Sequence, residues 1–157
     1  MATSGTVQSK VNLAEIIETG VGAAAAPTVT HTALGASHAI TAAKMAQGTL
    51  TMDGGAATLD LQAIVGTNGA VVDMSGLKVK YAWLRNTSTN ASNITVTFGA
   101  SNPYYLFGAA FVLVLTPGQE HTLSWGAEGL ADVANDASDI DISGTLAQTL
   151  DYLVVAA

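Results

Sequence analysis

The chain has 157 residues and no cysteine, which is enough for one domain with a real core and rules out disulfides, thiol chemistry and Cys-ligated zinc or iron–sulfur sites. Five Lys and Arg against twelve Asp and Glu give a formal charge of -7, which argues against nucleic acid and anionic membranes as partners. Only 11% of the residues are charged, so hydroxyl and amide groups, or bound partners, must cover the surface.

Met1–Lys10 is small and polar, with no basic segment ahead of an apolar run. No secretory leader is expected, and synthesis is expected to leave the product in the cytoplasm. Val11–Thr19 carries Leu13, Ile16 and Ile17 at helical spacing, but an extended arm fits it equally well. Gly20–Pro27 is a small-residue linker, and Pro27 turns Ala26 away from helix. Residues 1–27 therefore read as an arm and linker, and residues 28–157 as one β domain.

Thr28–Thr32 is strand-like, and His38–Met45 fits a short helix or a strand. Gln47–Met52 alternates, Asp53-Gly54-Gly55 supplies a hairpin turn, and Ala57–Val65 returns as a strand. Thr67-Asn68-Gly69 marks another turn before Val71-Val72. Gly76–Gly99 reads as a β-hairpin. Leu77, Val79, Tyr81 and Trp83 form an apolar face, N-T-S-T-N-A-S-N a polar tip, and Ile94, Val96 and Phe98 the return strand. Tyr104–Leu115 is the most apolar segment, too short at its uninterrupted best for the ~18 residues of a membrane helix. Thr116-Pro117-Gly118-Gln119 is a β-turn, and Glu120–Trp125, Ile140–Ile142 and Thr149–Val155 complete the strands. Short strands at this spacing predict an all-β fold, a jelly-roll-like antiparallel β-sandwich with an extended N-terminal arm.

No constellation points to a reaction, and neither a catalytic, a cofactor nor a metal site is expected. His31 and His38 have no carboxylate nearby, and His121 reads as structural or interfacial. Asp132, Asp136, Asp139 and Asp141, with Asn135, lack the spacing of a calcium loop and read as a solvated acidic loop. There is no G-x-S-x-G and no phosphate loop. Candidate interface residues are Val11, Leu13, Ile16 and Ile17 on the arm, and Tyr104, Tyr105 and Phe107 beside Pro103. Those aromatics suit a packing role, a protein contact or a sugar-stacking platform.

Three segments carry a resemblance: Leu84-Arg85-Asn86-Thr87 before a polar tip, Leu115-Thr116-Pro117-Gly118 leading to Leu123, and Gly144-Thr145 leading to Asp151 and Val154. With them the chain resembles small structural proteins of tailed-bacteriophage virions, over about half its length. The resemblance implies a non-enzymatic capsid decoration, or cement, protein on the outer surface of the virion, made in the host cytoplasm. It implies the major capsid protein and the chain's own copies as partners, as a trimer first and a dimer second. The alternative is a tail or head-fibre module gripping host glycans through Tyr104, Tyr105 or Trp125.

Overall fold

A computed structural model describes residues 3–7, 10–16, 28–34, 38–125 and 128–157, with side chains described from residue 42 onward. The described elements are all strands: β1 (Thr3–Val7), β2 (Lys10–Ile16), β3 (Thr28–Leu34), β4 (His38–Ala42), β5 (Lys44–Thr51), β6 (Ala56–Asp60), β7 (Ile64–Val65), β8 (Val71–Val72), β9 (Val79–Asn86), β10 (Ile94–Phe98), β11 (Val112–Leu115), β12 (Glu120–Ser124), β13 (Asp139–Ser143) and β14 (Thr149–Ala156). The fold is all-β and antiparallel.

Two compact units divide the chain. Residues 5–40 form one, and residues 1–4 with 41–157 the other. In the first, β2 and β3 pair antiparallel from Lys10 opposite Leu34 to Ile16 opposite Thr28. Over Lys10–Ile16 the backbone is thus extended rather than helical. The boundary read at residues 27 and 28 falls within this unit, while Ile17 and Gly20–Pro27 lie outside the described residues.

The larger unit holds two four-stranded sheets, in the orders β11-β10-β13-β6 and β12-β9-β14-β5. Leu59, Ile94, Val96, Leu115, Ile140 and Ile142 from the first share one core with Ala46, Ala82, Leu84, Leu150, Tyr152 and Val154 from the second. This is a β-sandwich. Burying a side chain such as Leu84, 1% exposed, contributes about 1.5–3 kcal/mol.

Consecutive strands mostly change sheet. The pairs β5/β6, β9/β10, β11/β12 and β13/β14 each take matching positions in the two orders. Residues 76–99 are therefore not a hairpin: β9 pairs with β12 and β14, and β10 with β11 and β13. The polar tip is an arch over the end of the core. Asp53-Gly54-Gly55 is likewise a true turn, with φ of 61° and 85° at its glycines, as a type I′ turn requires. Its ladder ends after the Asp53–Ala56 bridge, because β5 joins β14 and β6 joins β13. The strand read at Ala57–Val65 breaks after Asp60, whose carboxylate accepts from the Gln62 amide at 2.8 Å and whose carbonyl accepts from Ala63.

The arch is closed by polar side chains. Asn86, 0% exposed, donates from Nδ2 to the carbonyls of Leu115 (2.8 Å) and Ser92 (3.1 Å), and its Oδ1 accepts from Asn90 at 2.5 Å. Its backbone bonds to Gly118 and Gln119 in the Thr116–Gln119 turn. Asn90 bridges to both backbone groups of Thr149, and Gln148 donates to Ser92 at 2.6 Å. The three segments that carry the phage resemblance thus meet at one end of the sandwich, where they tie β9, β11 and β14 together.

Candidate functional site

Residues on β9 change face midway. Val155 pairs with Tyr81 but Ala156 with Val79, so Lys80 is the extra residue of a bulge. The slip turns Val79, Ala82, Leu84 and Asn86 inward and Tyr81, Trp83 and Arg85 outward. The apolar face read as Leu77, Val79, Tyr81 and Trp83 is therefore corrected: Ala82 and Leu84 face the sandwich interior, while Tyr81, though buried, and the half-buried Trp83 lie on the opposite face of the strand.

Registers set the outer face of this sheet in rows. Glu120, Arg85, Asp151 and Thr49 form one, and Thr122, Trp83, Leu153 and Gln47 the next. Arg85 donates to Asp151 Oδ2 from Nε at 3.1 Å and from Nη2 at 2.6 Å. Asp151 Oδ1 accepts from Thr49 Oγ1 at 2.7 Å. The Arg85 guanidinium lies 5.2 Å from the Trp83 ring centroid, a cation–π distance. The indole N–H donates to Glu120 at 3.1 Å. Trp83, Arg85, Asp151, Thr49 and Gln47 line a groove of about 470 Å³, walled by Gly66, Thr67 and Gly69 of the turn between β7 and β8. Beneath it, the Tyr152 hydroxyl donates to the Val65 carbonyl at 2.7 Å, and burial raises its pKa.

A second surface lies on β11, an edge strand. Val112 (70% exposed) and Val114 (47%) are open on this strand, and Phe107 and Tyr105 are exposed in the segment before it. The aromatics form a chain: Tyr105 to Phe98 at 5.4 Å, Phe98 to Phe111 at 6.4 Å, Phe111 to Phe107 at 5.0 Å, and Phe107 to His121 at 6.4 Å. No Asp, Glu, Lys or Arg occurs between Arg85 and Glu120, so β11 itself carries no charged side chain.

Of the residues singled out from sequence, Tyr105 and Phe107 reach this surface. Tyr104 is 1% exposed and does not; of the roles open to it, packing is the one realised. Its hydroxyl donates to the Ala131 carbonyl at 2.8 Å, and burial pushes its pKa up to about 12. Trp125 packs half-buried against the core. Val11, Leu13 and Ile16 lie on β2 opposite Ala33, His31 and Thr28. The acidic segment is dispersed rather than pooled: Asp141 accepts from Thr58 and from the Ala100 amide, and Asp139 from Ser138. Among the described residues no three His, Asp or Glu side chains are grouped to hold a metal ion. None of the described residues forms a helix long and apolar enough to cross a membrane.

No family model, curated protein or solved structure matches the chain. The groove on Trp83, Arg85 and Asp151 was not anticipated from sequence. Its only local signal is that Arg85 and Asp151 sit at outward parity on their strands; their neighbourhood depends on the pairing of β9 with β14.

Proposed function

We propose that this chain is a non-enzymatic decoration protein of a bacteriophage capsid, seated on the outside of the major capsid lattice. The observation that carries the reading is the uncharged, apolar edge at β11. Val112 and Val114 present aliphatic area on a strand that ends its sheet among the described residues, and Phe107 and Tyr105 are exposed in the segment before it, a form taken by surfaces that accept a neighbouring strand. The strand orders support a jelly roll, since paired strands at matching positions in two four-stranded sheets describe two interlocked Greek keys. The contact between the three segments of phage-like pattern, Asn86 with Leu115 and Thr87 with Thr149, supports it as well. Repeated on a lattice, a weak edge contact gains by avidity, and self-association as a trimer would multiply it.

Quantitative mass spectrometry of purified particles tests this. A copy number in simple ratio to the major capsid protein is expected. A count matching one vertex or one tail would move the chain to a portal or fibre, and its absence from particles would remove the reading. Val112→Lys with Val114→Lys should leave the fold intact and abolish attachment to particles that lack the chain.

A further inference from the structure

The two charged side chains that line the groove over β9, β14 and β5 are already paired with each other. Arg85 and Asp151 neutralise each other through two hydrogen bonds, Thr49 occupies the other carboxylate oxygen, and Glu120 holds the indole N–H. An anionic ligand would have to displace Asp151 from Arg85 and meet the Glu120 carboxylate nearby. A neutral ligand rich in hydroxyls would only add to that pair: guanidinium has five N–H donors, of which two are spent here. Gln47, exposed, offers an amide with both donor and acceptor character, and carboxylate oxygens keep spare lone pairs. The half-buried Trp83 ring, with the Arg85 guanidinium 5.2 Å from its centroid, supplies a flat surface against which a pyranose can pack. Gly66 and Gly69 present bare backbone on one wall. The volume, about 470 Å³, lies in the range of small-ligand sites. Trp83, Arg85, Asp151, Thr49 and Gln47 all sit on paired strands, so little ordering is needed on binding.

We infer that this groove binds a neutral oligosaccharide, with Trp83 as the stacking platform and Arg85, Asp151 and Gln47 as hydroxyl partners. The site is distinct in place from the β11 edge, and from Tyr104 and Tyr105.

The test uses the full chain labelled with ¹⁵N and titrated separately with cellotetraose, maltotetraose, N-acetylchitotriose and the acidic sialyllactose, each to about 10 mM. Saturable shifts in the Trp83 indole and the amides of Gln47, Thr49 and Arg85 are expected for at least one neutral sugar. Trp83→Ala should weaken that binding by about tenfold with the circular dichroism spectrum unchanged. Gln47→Ala, at an exposed position, should weaken it without touching the fold. Shifts at neither site for any neutral sugar, shifts confined to other regions, or binding of sialyllactose alone would overturn the assignment.

Discussion

Replacing Asn86 isolates the polar closure of the arch. In Asn86→Ala the Leu115 carbonyl loses its amide donor in a site with no solvent exposure, at a cost of about 1–3 kcal/mol. The other groups are less hurt: Ser92 keeps Gln148 at 2.6 Å, and Asn90 keeps the Thr149 carbonyl at 2.7 Å. Adding about 1 kcal/mol for those weakened bonds puts the total near 2–4 kcal/mol, or roughly 6–12 °C in Tm for a chain of this size. Asn86→Asp keeps the shape but removes the donor and adds a buried charge facing two carbonyls. Its carboxyl is raised in the folded state relative to about 3.9 unfolded. The variant should therefore stand closest to wild type below about pH 4 and lose ground as pH rises toward neutrality. Urea denaturation from pH 3.5 to 8 measures both effects, provided the slope with urea stays constant. A loss under about 1 kcal/mol for Asn86→Ala, or a pH-independent deficit for Asn86→Asp, would refute this role.

Gly48 is fixed by its neighbour: a Cβ there would lie 2.6 Å from the Tyr152 hydroxyl oxygen and 2.9 Å from the ring carbon bearing it. Gly48→Ala should cost about 1–3 kcal/mol in thermal denaturation, and its combination with Tyr152→Phe should cost less than the sum of the two. Tyr104, pushed up to about 12 by burial against about 10 unfolded, contributes stability that is complete below pH 10 and lost as pH climbs toward 12. Ultraviolet titration of tyrosinate should show a late-ionising component, shared with the buried Tyr152, that shrinks by one group in Tyr104→Phe.

Strands and turns were legible because alternation and glycine placement are local properties. Asp53-Gly54-Gly55 and Thr116–Gln119 turn where their residues demand it, with Gly118 at φ 79°. Partners were not legible. The apolar alternation of Ile94, Val96 and Phe98 marks an inward face but does not say which sheet receives it. A polar stretch such as residues 86–93 reads as a hairpin tip, although Asn86 is among the most buried residues. The bulge at Lys80 adds one residue to an unbroken pattern, which moves Trp83 from core to groove with no trace in composition. Arg85 and Asp151 meet across 66 positions of chain, and only the β9–β14 ladder brings them together.

The position of β14 shapes how the sandwich is made. It is the last of the described strands, yet it lies between β9 and β5 and pairs with both along most of its length. During synthesis from the N-terminus, β5 and β9 leave the ribosome well before the strand that joins them. Their facing edges stay open until then, and most ladders close over long sequence separations, which slows folding. Completion of this sheet therefore waits on residues 149–156, and a nascent chain cut short before them would carry two unsatisfied edges, a substrate for chaperones or for mispairing with its neighbours on the same message.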